Sequence, residues 1–166
     1  MAILDEQLII QSKAGDRNAF TNLILSINDD LYKIAKTKIS NEDDIEDAVQ
    51  ETMIEAFKSI KKLKDNDKFK GWIFTILINK CNRIYRRKFK KDMSYDNEFE
   101  FISGENSFKK IEDDLNFYDI IKCLDDDERL IITLYYMENL KIKEISKIMK
   151  KNENTINTKL YRARKK

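Results

Sequence analysis

Between positions 72 and 86 the chain sets one indole, one amide and two guanidinium groups at helical spacing: Trp72, Asn79, Arg83 and Arg86. Taken at 100° per residue, the apolar side chains Ile73, Phe74, Leu77, Ile78, Cys81, Ile84, Tyr85 and Phe89 occupy the opposite arc. A ring, an amide and cations in one stripe can stack on a base, bond its edge and meet phosphate, which suits unpaired bases better than a closed duplex. Trp72 is the only tryptophan, and two readings of it stand open: an exposed stacking platform, or a ring folded back over the rim of a small domain. A second cluster closes the chain, where Ile156, Leu160 and Ala163 point inward and Asn154, Thr155, Asn157, Thr158, Lys159 and Arg162 point outward. Asn157 and Arg162 have the chemistry of base-edge readout, and Lys159 and Arg164 that of phosphate contact. A third, acidic stripe runs through Asp44, Asp47, Glu51 and Glu55 at spacings of three and four. Glu42, Asp43, Glu46, Asp47 and Glu51 could hold magnesium for phosphodiester hydrolysis, but no second acidic helix is matched to them, and a solvated face is the ordinary origin of such a run.

The chain has no histidine, so the commonest general base and metal ligand are both missing, and no catalytic residue, metal site or cofactor is expected. Cys81 and Cys123 are far apart among apolar neighbours and read as free buried thiols of a cytoplasmic protein. No apolar run reaches the roughly 20 residues of a membrane span, and the first residues lack a signal-peptide pattern, so no membrane insertion is expected. The net charge of +2 hides four blocks: seven acids and no bases over 41–57, thirteen bases and two acids over 58–91, thirteen acids and three bases over 92–128, and eleven bases and three acids over 129–166. Basic blocks with interleaved aromatics fit a polyanion, so nucleic acid is the first partner to consider.

Helices must position these groups. Proline is absent and glycine occurs only at 15, 71 and 104, which leaves few breakers. The apolar spacing predicts helices over 4–14 and 16–38, then one from the Ser40-Asn41 caps to about Ile60 with Ile45, Ala48, Val49, Thr52, Met53, Ala56 and Ile60 as its core face. Residues 61–68 read as a loop, with Asp67 as the cap of the Trp72 helix. Residues 92–107 are acidic and aperiodic. Four helical segments follow, over 108–124, 127–138, 141–150 and 152–164, the last two joined by K-K-N-E-N as a helix-turn-helix. The expected fold is all-α: two small helical domains, 1–91 and 108–166, joined by an acidic flexible linker over 92–107, the second containing the helix-turn-helix.

Four stretches in this order and spacing resemble the extracytoplasmic-function sigma factors: D-A-V-Q-E-T-M-I-E-A-F (47–57), F-K-G-W-I-F-T-I-L-I-N-K-C-N-R-I-Y-R-R (69–87), L-D-D-D-E-R-L-I-I-T-L-Y-Y-M-E-N-L-K-I-K-E-I-S-K-I-M (124–149) and T-I-N-T-K-L-Y-R-A-R (155–164). The resemblance implies a non-enzymatic specificity subunit of bacterial RNA polymerase, monomeric when free. It implies that Asp47, Gln50 and Glu51 contact the clamp coiled coil of the core enzyme. It implies that Lys64, Asp65, Asn66, Asp67 and Lys68 frame a pocket for a flipped minus-ten base, with Trp72, Asn79, Arg83 and Arg86 along the melted strand. Asn154, Thr155, Asn157, Thr158, Lys159 and Arg162 match the positions that read the minus-35 element as duplex. The linker would take the place of the segment crossing the RNA exit path. An anti-sigma factor, often membrane-anchored, is the usual regulator, responding to an envelope signal.

The chain departs from the family where glycine and a hydrophobic residue commonly stand in the recognition turn, and where glycine precedes the Thr: those places hold Lys150, Lys151 and Asn154, while Asn152 remains available as a cap. The alternative reading is an autonomous helix-turn-helix regulator. Such proteins generally dimerise on paired half-sites, and no dimerisation helix is evident.

Overall fold

The computed structural model describes residues 5–92, 117 and 120–166. The expected linker beyond its first residue, and most of the expected helix over 108–124, lie outside the described residues. Eight α-helices lie within them and no strand: α1 (Glu6–Ala14), α2 (Arg17–Leu25), α3 (Asn28–Lys36), α4 (Glu42–Ser59), α5 (Phe69–Asp92), α6 (Asp126–Ile132), α7 (Ile142–Met149) and α8 (Glu153–Ala163).

Local chemistry sets most of the boundaries. The Asp5 carboxylate accepts the Gln7 N–H at 2.9 Å to start α1, and Gly15, at φ +103°, closes it in a left-handed conformation that other residues adopt only with strain. Asp16 then caps α2 through the N–H groups of Asn18 and Ala19. The helix expected over 16–38 is in fact two, broken at Ser26–Ile27. No side chain caps α3, and Ile27 at the break is fully buried, so core packing fixes the bend where the sequence has no breaker.

Asn41 caps α4 through the Asp44 N–H at 2.9 Å, and three acids fill its first turn, where the helix dipole favours them. Its inner face buries Ile45, Ala48, Val49, Thr52 and Ala56, and the buried Thr52 hydroxyl donates to the Ala48 carbonyl at 2.7 Å. Short 3-10 turns at Ile60–Lys62 and Asn66–Lys68 occupy the expected loop. Asp65, not Asp67, is the capping residue there: it accepts from the Asp67 N–H at 3.2 Å, and α5 begins directly at Phe69. Ile73, Phe74, Leu77, Ile78, Cys81 and Ile84 of α5 are buried, each large side chain contributing about 1.5–3 kcal/mol by burial. Tyr85, expected on the same apolar arc, is 57% exposed: among the described residues no element covers it.

In the second body α6 starts in a capping box. Asp125 accepts from the Glu128 N–H at 2.8 Å, and Glu128 accepts from the Asp125 N–H at 3.2 Å. The helix continues through a π-helical turn at Thr133–Met137, closed by Glu138 N–H donating to the Thr133 carbonyl. α6 and α7 both pack on α8 around Leu130, Ile131, Leu134, Ile145, Ile148, Ile156 and Leu160. α7, the turn after it and α8 form the expected helix-turn-helix. α7 also packs on α5, so the two bodies share one continuous apolar core.

Candidate nucleic-acid interface

The first candidate surface runs along α5. Trp72 and Arg86 are fourteen residue steps apart, about 21 Å of helix. Asn79, Arg83 and Arg86 are exposed along that length. Trp72 is half-buried, its ring centroid 5.8 Å from that of Phe69 at a 42° tilt, and packs on the core. Of the two readings of this residue, the structure shows a ring at the rim that still presents part of itself to solvent.

The segment before α5 is pinned rather than open. Asn66 accepts from the Lys13 ammonium at 2.9 Å and donates to Glu6 at 3.3 Å, which ties the 3-10 turn to α1. Lys68 pairs with Asp65, and that hydrogen bond holds the Asp65 carboxyl below its ordinary range. Lys64, Asp67 and Lys68 are exposed, and Asp65 and Asn66 are half-buried. The five residues therefore form one compact turn beside Trp72.

On α4, Asp47 and Gln50 are exposed and Glu51 is half-buried. This stripe and the α5 track, separate in sequence, are joined in the structure: Arg83 donates to Glu51, and Lys80 lies 3.7 Å from Glu51 and 3.9 Å from Glu55. Ile54 and Phe57, 55% and 47% exposed, continue the line of Asp47 and Gln50 at spacings of four and three. They were missed, although the signal was present, since both fall outside the core face of α4. Phe57 is braced edge-on by Phe20, with centroids 5.1 Å apart.

The second surface is α8. Asn152 caps it, its side-chain oxygen accepting from both the N–H and the hydroxyl of Thr155 at 2.7 Å. The Thr158 hydroxyl donates to the Asn154 carbonyl at 2.8 Å. Asn154, Asn157, Thr158 and Arg162 are exposed and Thr155 is half-buried. Lys159 turns inward, 3.3 Å from Asp127 and 3.7 Å from Asp125. Arg164, expected on phosphate, is exposed and lies over Tyr135 and Tyr136, donating to the Tyr136 hydroxyl at 2.8 Å. The acidic start of α6 and the two rings reach these long cations first. Tyr161, 57% exposed with the Lys165 ammonium 4.4 Å from its ring centre, stands on the same side as Asn154, Asn157 and Thr158 and was not singled out from sequence.

The recognition turn adopts the backbone that glycine would supply. Lys150 sits at φ +54°, ψ +41°, with its N–H donating to the Lys147 carbonyl and the Lys151 N–H donating to that of Ser146. Lys151 pairs with Asp127. Among the described residues no group of acidic, Cys or His side chains is arranged to hold a metal ion, and no helix is long and apolar enough to cross a membrane.

Comparison with known proteins finds two family matches: Sigma-70 region 2 over residues 23–90, and Sigma-70, region 4 over residues 114–166. RNA polymerase sigma factor SigV of Bacillus subtilis (strain 168) is 33% identical, covering 94% of this chain and 93% of its own length. ECF RNA polymerase sigma factor SigW of the same organism is 28% identical over 99% and 95%. Among solved structures, RpoE of Bartonella quintana in complex with the anti-sigma factor NepR has a TM-score of 0.71 at 24% identity, covering 88% of this chain and 92% of that one. CnrH in complex with the cytosolic domain of CnrY has a TM-score of 0.66 at 23% identity, covering 97% and 92%.

Proposed function

The chain belongs to the extracytoplasmic-function sigma factors of RNA polymerase, and from that premise we propose how its own residues divide the work of initiation. It directs core polymerase to promoters and starts transcription there; the family is a non-enzymatic initiation factor. The first body, residues 1–91, docks on the core enzyme through Asp47, Gln50 and Glu51, with the exposed Ile54 and Phe57 extending the contact into an apolar patch. The turn at 64–68 frames a flipped base, and Trp72, Asn79, Arg83 and Arg86 hold the melted strand. The second body, residues 108–166, reads duplex with Asn154, Thr155, Asn157, Thr158, Lys159 and Arg162 of α8, and 92–107 links the two.

The observation that carries this division is the 21 Å track from Trp72 to Arg86, which joins a solvent-reaching ring to exposed amide and cationic groups on a helix whose opposite face is buried. Opening a duplex costs on the order of 1.4 kcal/mol per stacked step, which such a track offsets by keeping bases out of the stack. The protein works in the cytoplasm. An anti-sigma factor holds it inactive, a reading supported by the solved relatives whose complexes contain the anti-sigma factor NepR and the cytosolic domain of CnrY.

Run-off transcription with purified core polymerase on a genomic library tests the function and finds the promoter together. Trp72→Ala should impair open-complex formation, read by permanganate footprinting, more than polymerase binding. An unchanged footprint would remove Trp72 from strand capture. Tight, polymerase-independent duplex binding would favour an autonomous regulator instead.

A further inference from the structure

The two bodies meet at a buried charge. Glu138 ends the π-helical turn just before α7 with 3% of its side chain exposed, and its carboxylate accepts from the Lys70 ammonium at 3.0 Å. That same ammonium lies 3.5 Å from Asp30 of α3. Lys70 is the second residue of α5 and stands two residues before Trp72. One cation from the strand-facing helix is thereby shared between a carboxylate of its own body and one of the helix-turn-helix body. Around it α7 packs on α5, and Trp72, Ile76, Ile142 and Met149 are half-buried on the common core.

The energetics favour a contact that holds and releases. Burial pushes the Glu138 carboxyl above its ordinary range and Asp30 pushes it further, while Lys70 and Lys33 pull it down without restoring it. Two carboxylates converging on Lys70 in a desolvated seam gain little net stability from the ion pair, because dehydrating the charges offsets their attraction. Such a pair fixes register more than it adds affinity. Apolar packing closes the seam, and all the charges regain water when it opens.

We propose that this seam is an autoinhibitory latch: in the free protein the helix-turn-helix body docks on the N-terminal end of α5 through Lys70 and Glu138, two residues from Trp72, and must swing away before a DNA strand can lie along α5. The latch rests on the assignment of α5 as the strand-binding helix, but its closure can be measured without that assignment.

Trp72 is the only tryptophan and stands two residues from Lys70, so its fluorescence serves as a local probe of that end of α5. Lys70→Glu and Glu138→Lys each place like charges together. In each, Trp72 emission should shift to the red, acrylamide quenching should increase, and the radius of gyration from small-angle scattering should rise, with helical circular dichroism retained. The double reversal Lys70→Glu/Glu138→Lys should return both readouts toward wild type. If one single variant loses its helical signal, the other and the double carry the test. Affinity of the free full-length protein for a fluorescein-labelled single-stranded oligonucleotide should rise at least about five-fold in both single variants, the low end of coupling between sites. They change net charge in opposite directions, so a rise in both reports opening. Unchanged fluorescence and scattering in both variants would overturn the latch, as would tighter DNA binding confined to Glu138→Lys. Loss of run-off activity in wild type, with the latch readouts intact, would refute the assignment of function instead.

Discussion

Replacing Lys150 by glycine should stabilise this protein, and the structure says by how much. The residue holds φ +54° at the end of α7, where an L-residue's Cβ crowds the following carbonyl at a cost of about 1–2 kcal/mol. Its side chain is exposed, so removing it empties no core volume. Glycine relieves the crowding but gives back about 0.5–1 kcal/mol through its greater freedom in the unfolded chain. The net gain is about 0.5–1 kcal/mol, which for a chain of this length raises the melting temperature by roughly 1–4 °C. The assay is thermal unfolding followed by circular dichroism, with Lys150→Ala as the control, since alanine deletes the charge and keeps the Cβ. Alanine should melt within about 1 °C of wild type. If Lys150→Gly and Lys150→Ala melt together, backbone strain at this turn is not what glycine relieves, and the reasoning fails.

Two further outcomes follow from burial and charge. Cys81 is fully buried, as expected, and burial pushes its thiol up to about 12, whereas Cys123, expected to be buried as well, is exposed. Native protein at neutral pH should therefore react with Ellman's reagent at one thiol and unfolded protein at two; rapid reaction of both in the native state would contradict the packing of α5. At Asp127, burial acts to raise the carboxyl, but Lys151 and Lys159 outweigh it and leave the group below its ordinary range. A depressed folded value contributes stability above the unfolded value of about 3.9, and that contribution disappears as pH falls through the folded value. Asp127→Asn should lower the melting temperature at pH 7 and change it much less near pH 2; an equal loss at both would assign the effect to packing.

What could be read from sequence was whatever chemistry acts over one or two turns. Asn41 with three following acids, Asn152 before α8, and the apolar arcs of α4 and α5 all describe local energies, and the helices lie where those energies put them. The break at Ser26–Ile27 was not legible, because it is imposed by the burial of Ile27 and marked by neither glycine nor proline. Tyr85 shows the same limit from the other side: a wheel assigns a direction, but whether anything packs there depends on elements distant in sequence. Lys159 likewise turns toward carboxylates, and the exposed Arg164 lies over rings, some thirty residues away. Ile54 and Phe57 were legible and overlooked, since their spacing from Asp47 and Gln50 is written in the chain.

The blocks of charge first suggested partners outside the molecule, yet in the folded chain the acidic and basic blocks are partly each other's partners. Glu51 takes Arg83, Glu55 lies near Lys80, Asp127 takes Lys151 and Lys159, and Glu138 takes Lys70. Of these, the exposed Arg83–Glu51 pair is worth about 0–1 kcal/mol, little enough for a phosphate that releases counterions to displace the carboxylate. Arg83 is the sharpest instance, because on the proposed assignment its partner Glu51 belongs to the polymerase surface. Its guanidinium cannot serve Glu51 and a DNA strand at full strength together, so a polymerase that engages Glu51 frees Arg83 for the strand. By linkage, a strand that takes Arg83 frees Glu51 for polymerase to the same degree. An exposed pair limits that coupling to about 1 kcal/mol, roughly a factor of five. The effect biases assembly toward the ternary complex without locking the free protein, which leaves the larger share of inhibition to the buried seam at Lys70.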